Sequence, residues 1–327
     1  MFGRGTKKSK KRACNSKARK GYSKKGNSVL CKRNYIRYAW IKKNLNSFPI
    51  NLMCKVLKVS RSCYYNWILR GCKTIKVDEK LNTLVKEIFI QSRQTYGTRR
   101  LKVTLAQKYG LIVSRVKLSN IMKFLNLRTK MKRRFKVTTT NSNHNFTIAP
   151  NRINRDFYSS NPNNKYVGDI TYIKTQQGTL YLAIVIDLYS RKVVGWSIDE
   201  NMKTSLVNDA LMMAIKRRNP SKGLIWHTDR GSQYASDSHK NLLKKYGIIQ
   251  SMSRKGDCWD NAVSESFFHS LKTELVYHQS FKSKAQANEM IFEYIEIFYN
   301  RQRLHSYNNY MSPVEFEEKM LRLEMAA

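Results

Sequence analysis

The sequence predicts a mixed α/β domain, a five-stranded sheet flanked by helices, preceded by small all-α modules. Five apolar runs of strand length carry this prediction, near residues 166–174, 180–187, 191–198, 223–228 and 247–251. Short turns separate the first three runs, which is typical of antiparallel strands. Helical segments near 203–217 and 235–246 separate the later runs, which is typical of parallel strands added to the same sheet.

Two more helices follow the last predicted strand. The first opens on the amphipathic pattern of residues 261–268 and runs to about 275, and the second spans about 284–300. We therefore place the α/β domain at 151–280 and a helical extension at 281–327.

The N-terminal part predicts a first DNA-binding module. Residues 1–34 are rich in Lys, Arg, Ser and Gly, and we interpret them as a disordered basic tail, or as the translation of an upstream frame. Within 35–77, Ser60 is a good N-cap for a helix that exposes Arg61 and Asn66. Two short helices joined by a tight turn favour a helix-turn-helix that binds DNA through these two residues. An ordinary helical hairpin fits the pattern equally well.

A second helix-turn-helix candidate spans residues 78–127. A first helix is followed by a basic helix that ends at Gly110, and Ser114 is placed to cap the next one. The basic residues expected to face DNA are Arg99, Arg100, Arg115 and Lys117. The alternative for each of them is a solvated helix face. Residues 128–150 are basic and then rich in Thr and Asn, which indicates a linker.

The charge of the chain is placed unevenly. Its net charge is +40; residues 1–77 contain 22 Lys and Arg and no acid, and residues 78–150 contain 16 against 3 acids. The rest of the chain contains 24 against 19. A cationic half joined to a nearly neutral domain indicates that one part binds the phosphates of DNA and the other does chemistry. A basic surface kept for solubility is the alternative.

The six cysteines argue against a disulfide framework or a zinc module. None forms a CxxC pair, and the first histidine is His144, so the N-terminal half cannot build a His-Cys zinc site. No stretch approaches the length of a membrane span, and no signal core follows the first cations. We expect a soluble bacterial cytoplasmic protein that stays with the nucleoid DNA and has no membrane partner.

Three acids lie in contexts typical of metal ligands. Asp169 lies within a predicted strand, Asp229 ends another, and Glu265 lies at the start of a helix. Two strand-end aspartates and one helical glutamate can cluster three carboxylates, which are hard ligands suited to Mg²⁺ or Mn²⁺. Two such ions about 4 Å apart can activate an attacking oxygen and stabilise the leaving oxygen in phosphoryl transfer.

Other polar residues compete for this role. Asp187 precedes a hairpin turn and is expected to cap it, and Asp260 is the best N-cap candidate for the Glu265 helix. Glu274 lies further along that helix and is expected to point elsewhere. His227 is expected on the opposite side of its strand from Asp229, packed in the core.

Two more residues of the Glu265 helix are expected on the side of the acids. Lys272 follows Glu265 by two helical turns, so it is placed to hold a DNA phosphate. Asn261 precedes Glu265 by one turn and is a second candidate for contact with DNA. Hydrogen bonding at the helix start is an equally good interpretation of Asn261.

Residues from about 148 to 318 resemble the catalytic core of insertion-sequence transposases of the insertion-sequence-three family, in particular its OrfB product. The resemblance rests on the contexts of the three acids and on the motifs YLAIVIDLYSR (181–191), GDCWDNA (256–262) and FYNR (298–301). It extends back to about residue 35, and YGTRRL (96–101) is similar to the family's helix-turn-helix segment. The resemblance implies an RNase-H-like, retroviral-integrase-like fold in which Asp169, Asp229 and Glu265 are the catalytic DDE triad. A cation at the position of Lys272 is a feature of the family.

The resemblance also implies a function. It implies a DNA transposase that binds the terminal inverted repeats, cleaves their ends with a divalent metal and transfers the strand into target DNA. It further implies a homo-oligomer on DNA, and an upstream-frame protein as fusion or partner. An RNase-H-type nuclease and an inactive DNA-binding regulator from a decayed element are the alternatives. The presence of all three acids argues against decay.

Overall fold

The computed structural model of the chain describes residues 34–72, 78–130, 146–255 and 257–326. The predicted basic tail up to residue 33, and the part of the predicted linker between 131 and 145, lie outside the described residues. The chain divides into two compact units, Met1–Glu79 and Lys80–Ala327.

The described part of the first unit is helical, as predicted. Its helices are α1 (Asn34–Lys43), α2 (Ile50–Val56) and α3 (Arg61–Leu69). Tyr38, Ile41, Met53, Leu57 and Tyr64 form its small core. Ser60 occupies the N-cap position of α3 with an extended backbone, although its side chain makes no capping hydrogen bond.

The second unit begins with a three-helix module, which we call the docked module (residues 80–130). Its helices are α4 (Glu79–Gln91), α5 (Thr98–Tyr109) and α6 (Arg115–Phe124). Gly110 ends α5 in a left-handed conformation with φ 63°, and Ser114 caps α6 by accepting a hydrogen bond from Lys117 N at 3.2 Å. Both helix signals were predicted from the sequence, and the structure confirms them.

The five predicted strands form one mixed sheet. They are β1 (Lys165–Thr175), β2 (Gly178–Asp187), β3 (Val193–Asp199), β4 (Ile225–Thr228) and β5 (Ile249–Met252), in the order β3-β2-β1-β4-β5. The pairs β1–β2 and β2–β3 are antiparallel, and β1–β4 and β4–β5 are parallel. The prediction of three antiparallel strands followed by parallel ones is confirmed.

Helices cover both faces of the sheet. One face packs against α7 (Thr204–Arg218), α8 (Ser232–Ala235) and α9 (Asp237–Tyr246). Gly195 lets α7 approach β3, because a Cβ there would lie 2.2 Å from Ala210 O. The other face packs against α10 (Ala262–Glu274) and α11 (Lys284–Phe292), and its core contains Val167, Ile184, Phe267 and Ile291. Two layers of helices on one sheet therefore give the expected flanked α/β architecture.

The C-terminal segment differs in detail from the prediction. The helix expected over 284–300 is an α-helix only to Phe292 and continues as a π-helix over Glu293–Tyr299. A last helix, α12 (Pro313–Ala326), lies within the predicted helical extension. Glu317 fastens it to the sheet, because its carboxylate accepts hydrogen bonds from Ser190 and Lys192 and pairs with Arg218.

Candidate active site

The register of the sheet brings two of the three acids together. In the parallel pair of β1 and β4, Val167 lies beside His227. Asp169 lies two residues further along β1, and Asp229 directly follows β4, which ends at Thr228. Val167 packs in the core that contains α10. Because residues two apart in a strand share a face, Asp169 lies on the side of the sheet that α10 covers.

The start of α10 is fastened to β1 directly beside Asp169. Asn261 occupies the N-cap position, and its Nδ2 donates a hydrogen bond to Gly168 O at 3.1 Å. Glu265 follows in the first turn of the helix. The Asn261 side chain makes no capping hydrogen bond within the helix start, so that interpretation of Asn261 is wrong. Its long-range contact with Gly168 instead brings the first turn of α10 to the strand that carries Asp169.

The electrostatics of the site show that the acids act on one another. Burial raises the pKa of Asp169 well above its usual range, and the charges of Asp229 and Glu265 raise it further. Desolvation by the surrounding protein also raises the pKa of Glu265, although more than a third of its surface stays exposed. Like charges placed together oppose ionisation, so the site favours a cation.

Backbone groups orient the two aspartates. Ile170 N donates to Asp169 Oδ1 at 2.8 Å, and Gly231 N donates to Asp229 Oδ1 at 3.0 Å. The sharp turn after β4 provides the second contact. A Cβ on Gly231 would lie 3.1 Å from Asp229 Oδ1, so a larger residue would press on the carboxylate.

Lys272 supplies a positive charge to the same site. Its charge lowers the pKa of Asp169, while burial lowers the pKa of Lys272 and the charge of Asp169 offsets part of that change. The Lys272 Nζ atom lies 4.9 Å from the centroid of the Tyr172 ring, which holds the side chain above β1. The cation predicted two turns after Glu265 therefore does lie near Asp169.

His227 is buried as predicted, but it does not lie on the opposite side of the strand from Asp229. Residues two positions apart in a strand share a face. His227 Nδ1 lies 2.8 Å from Ser251 Oγ, and Nε2 lies 3.0 Å from Asp260 O, just before α10. Burial lowers the pKa of His227, which keeps it neutral. Its contacts indicate a structural role in joining β4, β5 and the start of α10.

Asp260 does not cap α10, contrary to the prediction. Its carboxylate accepts hydrogen bonds from Asn151, Arg155 and Arg254, including the backbone N–H of Arg254. These donors hold the pKa of Asp260 well below its usual range, with the Arg254 side chain the largest cause. Spacing from the helix start suggested a cap, but Arg254 and the more distant Asn151 and Arg155 bind the carboxylate instead. Asp260 anchors the loop before α10.

The other two competing acids are also structural. Asp187 accepts a hydrogen bond from Tyr189 N at 3.0 Å, so it caps the hairpin turn as predicted. Burial raises the pKa of Asp187 to about 6. Glu274 forms a buried ion pair with Arg303, at 2.8 Å, and accepts a hydrogen bond from Tyr294. Neither carboxylate is directed at the acidic site.

Tyr234 is a site residue that the sequence reasoning missed. Its hydroxyl is buried and has no hydrogen-bond partner among the described residues. Burial raises its pKa, and the charges of Asp169 and Asp229 raise it further. Its position five residues after Asp229, in the short helix α8, gave no local signal of this proximity.

The carboxylates of the site are suitable ligands for a divalent metal ion, but they do not lie close enough together to form a complete set of ligands. Within the ranges that the structure describes, no three His, Cys, Asp or Glu side chains are gathered closely enough to hold a metal ion. The carboxylates are hard oxygen donors of the kind Mg²⁺ and Mn²⁺ select. Asn261 Oδ1 is buried without a partner among the described residues, so the site also offers an acceptor for an ordered water.

The residues predicted to contact DNA are mostly exposed. Arg61, Asn66, Arg99, Arg115 and Lys117 all lie on the surface of their modules. Arg61 Nη1 donates to Asn51 Oδ1 at 2.6 Å, and Arg115 Nε lies 3.4 Å from Thr98 Oγ1. Arg100 differs, because its guanidinium is half-buried and donates to Leu304 O at 3.0 Å. These contacts favour a structural role for Arg100, and we no longer propose it as a DNA contact.

None of the described helices has both the length and the apolar character needed to cross a lipid bilayer.

Comparison with protein families matches three segments of the chain. Residues 159–258 and 265–321 match families described as an integrase core domain. Residues 76–135 match a family described as an HTH-like domain. A mixed sheet that carries paired aspartates, joined to a helix-turn-helix module, defines an integrase-core polynucleotidyl transferase.

Similarity to curated proteins identifies the family within this class to which the chain belongs. The chain is 42% identical over 290 residues to the transposase InsF for insertion sequence IS3A of Escherichia coli (strain K12), covering 88% of this chain and all of the relative. It is 47% identical over 268 residues to the insertion element IS600 uncharacterized 31 kDa protein of Shigella sonnei, covering 82% of this chain and 98% of the relative. The chain belongs to the IS3 family of insertion-sequence transposases, and it is a DNA transposase of the DDE type. Membership implies catalysis that uses a divalent metal ion.

Solved structures similar to the chain are more distant. One is the cryo-EM structure of the simian T-cell lymphotropic virus intasome in complex with PP2A regulatory subunit B56 gamma, with a TM-score of 0.42 and 17% identity over 71% of this chain and 73% of that chain. Another is the HTLV-2 integrase catalytic core domain in complex with magnesium, with a TM-score of 0.38 and 16% identity over 49% of this chain and 99% of that chain.

Proposed function

We propose that Asp169, Asp229 and Glu265 are the catalytic acids of this transposase and hold two Mg²⁺ or Mn²⁺ ions. The observation that carries the proposal is the position of Asp169 in β1 and of Asp229 directly after the adjacent parallel strand β4. The contact of Asn261 with Gly168 supports it, because it brings the first turn of α10, with Glu265, to the same place. The raised pKa of Asp169 supports it further, since closely placed acids need a cation to ionise together.

The side chains of the site have separate tasks in this proposal. Bound metal ions would lower the pKa of the attacking oxygen and stabilise the leaving oxygen of the DNA phosphodiester. Lys272 would hold the phosphate at the cleaved end, because its helix packs on the face of the sheet that carries Asp169 and the charges of the two side chains act on one another. Water would attack first, and the freed 3′-OH would attack the target DNA second. No covalent link between protein and DNA is needed.

The helical modules would bind the terminal inverted repeats. Arg115 and Lys117 lie exposed at the start of α6, and Arg61 and Asn66 lie exposed on α3. Arg99 is exposed on α5 and adds a further cation. We propose that two or more copies of the chain assemble on both DNA ends in the bacterial cytoplasm. An upstream-frame protein would act as fusion or partner.

A pre-cut DNA end tests whether the protein transfers strands or only hydrolyses them. An oligonucleotide with the terminal sequence and a free 3′-OH should be joined to a second DNA with Mg²⁺ or Mn²⁺ and no nucleotide cofactor. Removing that 3′-OH should stop joining while binding persists. If the chain, supplied with its upstream partner and correct ends, yields only hydrolysed fragments, the nuclease alternative replaces strand transfer.

Lys272→Ala tests the role of the cation in the same assay. Joining should fall, because the DNA end is held less firmly between the two steps, while binding of the intact repeat persists. Lys245→Ala is the matched control, since Lys245 also lies over an aromatic ring, that of Tyr246, at 5.8 Å but on α9. An equal loss of joining in both variants would remove Lys272 from the site.

A further inference from the structure

The docked module is fixed to the catalytic domain through a short backbone segment after the π-helix. Tyr96 OH donates a hydrogen bond to Gln302 O at 3.0 Å and accepts one from Leu304 N at 3.0 Å. Both Tyr96 and Leu304 are buried, and Leu304 belongs to the apolar core of the module. The segment therefore completes the core of a module that precedes it by about two hundred residues in the chain.

Arg100 reinforces the same attachment. Its Nε donates to Leu304 O at 3.0 Å, and its guanidinium lies 5.5 Å from the centroid of the Tyr96 ring. Tyr96 and Arg100 together therefore satisfy Gln302 O and both backbone polar groups of Leu304. Buried backbone groups without such partners would be costly, so the two side chains hold one defined geometry.

A second contact links the module to the helix that carries Glu265. Lys130 Nζ donates to Glu274 O at 2.9 Å, at the last residue of α10. The carboxylate of Glu274 pairs with Arg303, which lies between the two residues that Tyr96 contacts. A continuous set of polar contacts therefore runs from Tyr96 to the C-terminal end of α10.

A third contact lies at the π-helix and is more exposed. Arg93 pairs with Glu293, and its guanidinium lies 4.9 Å from the centroid of the Phe298 ring. The side chains of Arg93 and Glu293 keep 25% and 51% of their surface exposed, so this contact can be changed without opening the core.

We infer that Tyr96 and Arg100 are positioning residues that fix where the DNA strand is cut. The inference rests on the proposed function, in which α6 binds the terminal repeat and Asp169, Asp229 and Glu265 cleave it. A module on a flexible tether would present DNA at variable distances from the acids. The three contacts instead hold the repeat and the acids at one separation, so a single phosphate reaches the site.

The test uses the full chain with Tyr96→Phe and Arg100→Met, which remove the hydrogen bonds and keep the bulk. Affinity for a terminal-repeat duplex should be unchanged. Cleavage at the native phosphate should fall by up to about 100-fold, because small misplacements of a reacting group are costly. Cuts should also spread to neighbouring phosphates, which is mapped at nucleotide resolution on an end-labelled duplex.

The Arg93–Glu293 pair gives a second test that does not disturb the core. Arg93→Glu places two acids together and should also spread the cuts. Adding Glu293→Arg restores an ion pair in which the two charges have exchanged positions, and it should restore cutting at one phosphate. A fold defect would not be expected to recover by charge reversal on a partly exposed pair.

Lys117→Ala distinguishes failure of this inference from failure of the proposed function. It should weaken binding and leave the cut position unchanged, because Lys117 is exposed on α6 and takes part in none of the three contacts. Unchanged affinity in that variant would count against binding by α6, and so against the proposed function. The inference itself is overturned if the Tyr96 and Arg100 variants cut the native phosphate at the native rate. It is also overturned if they lose binding and cleavage in parallel at an unchanged position.

Discussion

Asp169 and Asp229 owe their proximity to the register of two parallel strands, and their chemistry to that proximity. Each carboxylate has a backbone N–H on one oxygen, from Ile170 and Gly231 respectively. The mutual charge of the acids raises the pKa of Asp169, so the pair resists full ionisation without a cation. Replacing one of these carboxylates by an uncharged side chain of the same size is therefore the most direct test of their role.

Asp229→Asn keeps the size of the side chain and removes the anionic ligand. Strand cleavage should fall by several orders of magnitude while the affinity for terminal-repeat DNA persists, measured by cleavage and gel-shift assays. Asp237→Asn is the matched control, because Asp237 lies exposed at the start of α9 and should have no effect. Loss of DNA binding in parallel with cleavage would mean that Asp229 is structural.

His239 makes the stability of the second unit depend on pH. Trp226 Nε1 donates to His239 Nε2 at 3.0 Å, and His239 Nδ1 lies 2.7 Å from Asn208 Oδ1, so the neutral ring is the bonded form. Burial lowers the pKa of His239 to about 4. Its ordinary pKa in the unfolded chain is higher, so the unfolded state takes up the proton first as pH falls.

The free energy of unfolding should therefore fall between about pH 6.5 and pH 4, by up to about 3 kcal/mol from this residue. Above that window the contribution is fully present. Urea denaturation of the native chain and of His239→Gln across this range measures the difference. His278→Gln, at an exposed histidine, should keep the native pH dependence. Identical pH profiles for the native chain and His239→Gln would refute this assignment.

At the scale of elements, the site depends on how closely β1 and β4 pack. The indole of Trp226 lies across Gly168, where a Cβ would be 2.1 Å from Trp226 Cη2. The same indole is held by its hydrogen bond to His239 and by its contact with the Tyr234 ring. Gly168 therefore lets a large buried side chain of β4 lie against the strand position next to Asp169.

Gly168→Ala should move β1 or displace the Trp226 ring. Overpacking of this kind lowers the free energy of unfolding by about 1–3 kcal/mol. The rate of strand cleavage should fall by more than this loss of stability explains, because Asp169 is the next residue. Chemical denaturation and the cleavage assay measure the two effects. Gly97→Ala is the control: a Cβ there meets nothing within 4 Å, so its effect should stay within about 1 kcal/mol. Native cleavage by Gly168→Ala would show that the site tolerates this displacement.

At the scale of the whole molecule, cationic charge and catalytic chemistry are divided along the chain. Residues 1–77 contain 22 Lys and Arg and no acid, while the domain with the three acids is nearly neutral. The boundary between the two compact units falls at Glu79, close to the end of this acid-free stretch. A truncation at that point removes the acid-free cationic stretch and keeps the three acids.

Deleting residues 1–77 should weaken DNA binding and reduce its preference for the terminal repeat, because only the contacts of α6 in the docked module remain. The slope of log affinity against log salt should become shallower, because fewer phosphate contacts release fewer counterions. Binding measured at several salt concentrations gives this slope, and the pre-cut joining assay reports on the remaining catalytic unit. An unchanged slope would show that the cations of 1–77 do not contact DNA.

The sequence by itself determined the fold class and the five strands, and it predicted which acids form the site. Strand and helix periods are local, so they can be read without tertiary contacts, and Gly110 and Ser114 mark helix ends through backbone chemistry that is also local. The acid triad was predicted for the same reason, since Asp169 and Asp229 each lie in or directly after an apolar strand.

Only the tertiary structure decided the tasks of residues whose partners are distant in the chain. Asp260 anchors a loop through Asn151 and Arg155, and Arg100 turns inward to Leu304. A local sequence pattern predicts on which face of a helix such a side chain lies, but it does not predict which group the side chain contacts there. That choice depends on packing across the whole unit, because a buried charge or backbone group must find a partner wherever the fold brings one.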